Sequence, residues 1–109
     1  MDLGLKNKVT FITGSSSGIG LATAKQFAHE GSKVIICGRN EEKLINAKKE
    51  ILEITSNDVD YYICDTSKSE QVEETVSKIL IKHQKIDILI NNAGKAQAGG
   101  IIDASDEAW

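Results

Sequence analysis

A glycine-rich turn between an apolar run and a helical pattern constrains the fold of this chain more than any other feature of the sequence. Residues 13–20 read TGSSSGIG and follow apolar residues at positions 9, 11 and 12. Glycine reaches positive φ without strain and lets a ligand come close to the backbone. A helix that begins at such a turn directs backbone N–H groups and a partial positive charge toward it. The pattern therefore predicts a strand–turn–helix unit that can hold a phosphate group.

Short apolar runs and amphipathic helical patterns alternate along the rest of the chain. Apolar runs of this length are typical of strands that are covered on both faces. The predicted strands cover residues 8–13, 34–37, 59–64 and 86–90. A Gly- and Ala-rich loop is expected over residues 91–102, and a further helix is expected to begin at Ser105.

Three helices are predicted between these strands. The first runs from Gly18 to about residue 30, where Gly31 is a natural stop, and the second follows Asn40, whose side chain can cap it. The third begins at a capping box formed by Ser67 and Glu70. The expected buried positions of the three helices are, in chain order, Leu21, Ala24, Phe27 and Ala28; Leu44, Ala47, Ile51 and Ile54; and Val72, Val76, Ile79 and Leu80.

Strands that alternate with helices of this length imply a parallel sheet with right-handed crossovers. The predicted fold class is therefore α/β: a single domain over residues 1–109 that forms the N-terminal half of a Rossmann-type, doubly wound parallel sheet. The order βαβαβαβ predicts strand order 3-2-1-4 in a three-layer α/β/α arrangement. Strands 1 and 4 then flank the switch point, so the turns at 14–20 and 91–94 are expected to meet in one crevice.

The composition argues against several classes of partner. With 40% hydrophobic residues, 27% charged residues and a net charge of −3, the chain gives no reason to expect nucleic acid or an anionic membrane as a partner. No apolar run approaches the roughly 20 residues that span a bilayer. Residues 1–8 lack the layout of a secretory signal, so a cytoplasmic location is expected. Cys37 and Cys64 have no CxxC spacing and are predicted to be buried, reduced thiols, with a disulfide or a metal site as the alternative; no metal-binding residue is assigned.

The turn at 13–20, together with the sequence NNAG at 91–94, resembles the short-chain dehydrogenase/reductase family. Asp65 and residues 103–109 are similar to segments of that family as well, so the resemblance covers the whole chain. It implies a nicotinamide-dependent oxidoreductase. The cofactor-binding residues that the resemblance and the sequence indicate are Gly14, Ser15, Ser17, Gly18, Ile19, Gly20, Arg39, Asp65, Asn91, Ala93 and Gly94.

The resemblance also implies roles for these residues. The glycines of the first turn would surround the pyrophosphate, and Ile19 would donate its backbone N–H to the phosphates. Asp65 would accept a hydrogen bond from the adenine amine. Asn91, Ala93 and Gly94 would line the adenosine side of the crevice.

The end of the second predicted strand bears on the choice between NAD and NADP. An acidic side chain there accepts hydrogen bonds from the ribose 2′-OH of NAD and repels a 2′-phosphate. This chain instead has Gly38, Arg39 and Asn40. The planar guanidinium of Arg39 suits a phosphate, the hydroxyl of Ser15 can add a contact, and the acidic residues at 41 and 42 are expected to face away. The sequence thus favours NADP over NAD; the alternative is a solvated surface arginine.

The catalytic Tyr-x3-Lys motif of the family does not occur in the sequence, because Asp65 and Thr66 stand four places after Tyr61 and Tyr62. Both tyrosines are expected to pack within the third strand, and no catalytic residue is assigned. We therefore interpret the chain as the cofactor-binding portion of an NADP-dependent oxidoreductase that interconverts a carbonyl and an alcohol by hydride transfer. Alone it is expected to be inactive; at full length, a small-molecule substrate and a homo-oligomer are expected. The alternatives are a non-catalytic NAD(P)-binding or sensor module and a methyltransferase-like domain, against which the Gly-Arg pair at 38–39 argues.

Overall fold

Residues 4–92 are described by the computed structural model, and within them four parallel strands form one sheet in the order β3-β2-β1-β4. Each strand is joined to the next in sequence by a helix. This topology confirms the predicted α/β class and the strand order 3-2-1-4. The strands are β1 (Val9–Thr13), β2 (Lys33–Gly38), β3 (Val59–Ile63) and β4 (Ile88–Asn91), and the helices are α1 (Gly18–His29), α2 (Glu41–Leu52) and α3 (Ser69–His83).

The two central strands hold the core. Every residue of β1 is buried, and so are the four residues of β2 between its ends. Successive side chains point to opposite faces of a sheet, so Ile12 and Ile36 pack beneath α1 and α2, while Phe11 and Ile35 pack beneath α3. Both faces are therefore covered, which explains why these strands are continuous apolar runs.

Two of the predicted helix ends are confirmed. Gly31 has a φ of 94°, which suits glycine, and its N–H donates to the carbonyl of Ala28 at the end of α1. The side-chain oxygen of Asn40 accepts a hydrogen bond of 3.0 Å from the N–H of Lys43 and caps α2. Each signal acts within a few residues, so the sequence is sufficient to reveal it.

The predicted capping box at Ser67 and Glu70 is wrong. Helix α3 begins at Ser69, its N-cap position is Lys68, and no side chain caps it. The hydroxyl and the N–H of Ser67 both donate to Asp65 Oδ1, at 2.7 and 3.0 Å. A local turn around the aspartate therefore uses the serine that the pattern assigned to the helix.

Two of the predicted buried positions are also wrong. Ile54 is 40% exposed because α2 ends at Leu52, before the fourth position of the expected stripe. Leu80 is 43% exposed, whereas Thr75 is buried on the inner face of α3. Because Thr75 lies on the buried face of α3 with Ile79, Leu80 lies on the outer face. A threonine does not count in an apolar pattern, so the pattern missed this position.

The start of β4 differs from the predicted strand by two residues. Asp87 instead joins the beginning of β1, since its N–H donates to the carbonyl of Val9 and its carboxylate accepts from the N–H of Val9 at 2.8 Å. The loop expected over 91–102, apart from its first two residues, and the helix expected at Ser105 lie outside the described residues. None of the helices within residues 4–92 combines the length and apolar character that a membrane span requires.

Candidate functional site

The two predicted turns begin at the carboxyl ends of neighbouring strands. Strands β1 and β4 pair in parallel, with Thr13 opposite Asn91, so the residues that follow each strand enter the same crevice. Gly14 has a φ of 59° and Gly18 a φ of 62°. Glycine adopts this left-handed conformation without the strain that a side chain would cause. The structure therefore brings residues 14–20 and 91–92 together, as the strand order predicts.

The third glycine of the turn allows α1 to pack against the turn itself. A Cβ added to Gly20 would lie 2.0 Å from the carbonyl oxygen of Gly14 and 2.9 Å from the Cα of Ser15. Both neighbours are backbone atoms, which cannot rotate away. A Cβ added to Gly18 would instead meet no atom of the described residues within 4 Å. Gly20 thus serves the packing of the helix, and Gly18 serves the conformation of the turn.

Helix α1 begins at this turn without a capping side chain. Ser17 occupies the N-cap position but makes no side-chain hydrogen bond there, and the first turn of the helix contains no acidic residue. Ile19, in that same first turn, is 78% exposed. The first N–H groups of a helix carry partial positive charge and have no partner within the helix. This end of α1 can therefore accept an anion.

Two serines connect the turn to β2. The hydroxyl of Ser15 is buried, donates to the carbonyl of Ile12 at 2.6 Å and accepts from the N–H of Cys37 at 3.1 Å. The Ser15 hydroxyl therefore already makes two hydrogen bonds within the protein, and the predicted contact with a nucleotide would be a third. Ser16, which the sequence did not single out, has its Oγ 3.2 Å from the position of a Cβ on Gly38. Ser16 thus lies at the end of β2, where cofactor choice is expected to be decided.

Arg39 and Asp65 lie near each other beyond the ends of β2 and β3. The N–H of Cys64 donates to the carbonyl of Gly38 at 2.8 Å, which aligns the two strand ends. The pKa of Asp65 is lowered, first by the two hydrogen bonds from Ser67 and further by the positive charge of Arg39. The exposed guanidinium of Arg39 and the carboxylate of Asp65 therefore belong to one electrostatic environment at this edge of the crevice.

A buried hydroxyl joins β1 to the second turn. Thr13 Oγ1 donates to Asn91 Oδ1 at 3.0 Å and accepts from the backbone N–H of Asn92 at 3.0 Å. The side-chain Nδ2 of Asn92 is buried and has no hydrogen-bond partner among residues 4–92. A buried donor without a partner costs roughly 1–3 kcal/mol, so this amide suits an acceptor on a molecule in the crevice. Thr13 and Asn92 are not among the predicted site residues, although each belongs to one of the two motifs.

Ala93 and Gly94 lie outside the described residues. Tyr61 and Tyr62 lie in β3 and pack against the two opposite layers of the core, in agreement with the packing role expected of them. Within residues 4–92, no group of three or more histidine, cysteine or acidic side chains could hold a metal ion.

The two cysteines are buried free thiols, as predicted. Cys37 and Cys64 belong to the same apolar cluster beneath α3. A hydrogen bond with the neighbouring Cys64 and burial raise the pKa of the Cys37 thiol. Cys37 is therefore protonated at neutral pH and contributes to the core as a small apolar side chain.

Comparison with known proteins identifies the family. The family model described as short chain dehydrogenase matches residues 8–109. The chain therefore belongs to the short-chain dehydrogenase family, whose members are oxidoreductases. This confirms the resemblance carried by the two motifs.

Individual relatives agree with this assignment. The 3-oxoacyl-(acyl-carrier-protein) reductase of Thermotoga maritima is 38% identical over 105 residues, which are 96% of this chain and 42% of that protein. The L-sorbose reductase of Gluconobacter frateurii, solved with NADPH and L-sorbose, is similar with a TM-score of 0.83 and 38% identity over 100% of this chain and 41% of its own. NAD+-bound xylitol dehydrogenase gives a TM-score of 0.79 and 36% identity over 84% of this chain and 35% of its own. The chain thus spans less than half the length of these relatives.

Proposed function

We propose that this chain is the cofactor-binding portion of an NADP-dependent short-chain dehydrogenase/reductase that interconverts a carbonyl and an alcohol. The observation that carries the proposal is the crevice itself, in which the uncapped N-terminus of α1 lies at one turn and the side-chain amide of Asn92, unpaired among residues 4–92, lies at the other. A dinucleotide offers partners to both, because it combines a negatively charged pyrophosphate with many hydrogen-bond acceptors.

The pyrophosphate would be held at the first turn. The space beside Gly18 is open, and the backbone N–H groups of Ile19 and Gly20 lie in the first turn of α1. Asp65 and Asn91 would contact the adenosine half. The full set of proposed cofactor-binding residues is Gly14, Ser15, Ser17, Gly18, Ile19, Gly20, Arg39, Asp65, Asn91, Ala93 and Gly94.

The end of β2 supports NADP as the cofactor. Gly38 carries no carboxylate that could accept from a ribose 2′-OH, and the exposed Arg39 follows it directly. The hydroxyl of Ser16 lies beside Gly38 and offers a further hydrogen bond to a 2′-phosphate. One solved relative is described as bound to NADPH and another as bound to NAD+. Because the common fold serves both nucleotides, local residues such as Arg39 would decide between them.

The nicotinamide, when bound, gives or accepts the hydride, and the residues of this chain bind and orient the nucleotide. We assign no catalytic residue, since the sequence holds no Tyr-x3-Lys motif, and we expect the chain to turn over no substrate by itself. The names xylitol dehydrogenase and L-sorbose reductase favour a small-molecule carbonyl or alcohol as the substrate of the whole protein. We further propose a cytoplasmic location and a homo-oligomeric state at full length.

Titration of the chain with NADPH and with NADH, followed by nicotinamide fluorescence, tests this proposal. We expect NADPH to bind about tenfold more tightly, as for one charge-assisted phosphate contact. Arg39→Ala should remove most of this preference and leave NADH binding within about twofold of its original value. Lys49→Ala, which removes the same charge from the far end of α2, is the matched control. Binding of neither nucleotide, or equal effects of the two substitutions, would contradict the proposal.

A further inference from the structure

Tyr61 holds the carboxylate that lies closest in sequence to Arg39. The hydroxyl of Tyr61 donates a hydrogen bond of 2.9 Å to Glu41 Oε2. Glu41 is the first residue of α2 and stands two positions after Arg39. This hydrogen bond to a negative charge raises the pKa of Tyr61, so the phenol keeps its proton at neutral pH and remains the donor.

The position of Tyr61 is fixed by its surroundings. Tyr61 lies opposite Ile36 in the pairing of β3 with β2, and its ring packs against the cluster beneath α1 and α2. The ammonium group of Lys48 lies 5.8 Å from the centre of the ring. Glu41 and Lys48 are about two helical turns apart on α2, so the tyrosine contacts this helix at two levels. This exposed hydrogen bond therefore directs the Glu41 carboxylate toward β3.

A free carboxylate at the beginning of α2 would act on the nucleotide site. Glu41 and Arg39 flank Asn40, the N-cap residue of α2, so all three belong to the segment where a 2′-phosphate is expected. A carboxylate in that segment repels a 2′-phosphate and accepts hydrogen bonds from a 2′-OH. Near a protein surface, a like charge within about 10 Å changes an affinity by a few fold.

We propose that Tyr61 is a positioning residue for cofactor specificity. By holding Glu41 against β3, it keeps a negative charge away from the 2′-phosphate and so favours NADP over NAD. This inference rests on the proposed function, since it concerns the same nucleotide site. It assigns a role in specificity to a tyrosine whose ring otherwise serves only packing.

The test compares nucleotide affinities in Tyr61→Phe, which removes the hydroxyl and keeps the ring. We expect the ratio of the NADH Kd to the NADPH Kd to fall about two- to fivefold, mainly through weaker NADPH binding. The fall should shrink in high salt. In Tyr61→Phe/Glu41→Gln the ratio should return to the wild-type value, because no charge remains to be released. Tyr62→Phe, on the opposite face of β3, is the matched control and should leave the ratio unchanged.

The outcomes separate this inference from the proposed function. An unchanged ratio in Tyr61→Phe, or a fall that persists in the Glu41→Gln background, would overturn the inference and leave the proposed function in place. An equal loss of affinity for both nucleotides would also overturn it, because it would show a structural role only. A wild-type chain that binds neither nucleotide would overturn the proposed function, and the inference with it.

Discussion

Replacement of Gly20 by alanine is the sharpest test of how the turn is built. The added Cβ would lie 2.0 Å from the Gly14 carbonyl oxygen, and contacts under 3.0 Å are essentially never seen, so α1 must move away from the turn by about 1 Å. Overpacking of this kind costs about 1–3 kcal/mol, and a backbone contact this short belongs at the upper end. The higher helix propensity of alanine offsets about 1 kcal/mol of this cost. We therefore expect the free energy of unfolding to fall by about 2 kcal/mol.

Urea denaturation measures this loss. With a slope of about 1 kcal/mol per molar urea for a chain of this size, the unfolding midpoint of Gly20→Ala should fall by about 2 M. Gly18 provides the comparison, because its site is open and only its positive φ disfavours a side chain. Gly18→Asn should be milder than Gly18→Ala, since asparagine tolerates that φ, whereas Gly20→Asn should be no milder than Gly20→Ala. A Gly20→Ala midpoint equal to that of the wild type would refute the packing argument.

Three further predictions concern contacts away from the glycines. Thr13→Val keeps the shape of the side chain but removes the hydroxyl between the turns. It should lower the free energy of unfolding by about 1–3 kcal/mol and weaken the binding of both nucleotides. Nucleotide affinities equal to those of the wild type would contradict this prediction. Burial raises the pKa of Asp60, but hydrogen bonds from Lys82 and His83 outweigh it and leave the pKa lowered. The stabilisation that the Asp60 carboxylate contributes is thus present above about pH 4 and is lost as the pH falls through the folded pKa. Asp60→Asn should therefore reduce the dependence of the free energy of unfolding on pH between about pH 2 and 5. The same pH dependence in Asp60→Asn and the wild type would contradict this prediction. Both cysteines are buried, so a thiol reagent should react with the folded chain only as fast as the protein opens; immediate labelling would contradict their burial.

Local signals account for most of what the sequence predicted correctly. The glycine-rich turn, the stop at Gly31 and the cap at Asn40 each depend on residues a few positions apart, and the structure contains all three. Local signals also explain the errors. Ser67 was available both to a capping box and to a turn at Asp65, and the pattern alone does not show which hydrogen bonds form. The position of Leu80 depended on whether Thr75 is buried, which an apolar periodicity does not reveal.

The parts of the site that were not predicted depend on contacts between distant residues. The hydroxyl of Thr13 meets Asn91 across 78 positions of the chain, and Tyr61 meets Glu41 across 20. Each side chain alone has an ordinary interpretation, a strand threonine or a surface glutamate. Only the parallel pairing of β1 with β4, and the packing of α2 over β3, bring the partners within hydrogen-bond distance.

We propose that a nicotinamide dinucleotide binds in the crevice between the two turns. An NMR titration of the 15N-labelled chain with NADP+ tests it most directly, because it reports on every backbone amide separately. We expect the largest shifts at Ile19 and Gly20 in the first turn of α1 and at Asn91, the last residue of β4. Shifts confined to the groove between β3 and α3, at residues such as Tyr62 and Gln71, with none at residues 14–20, would contradict it.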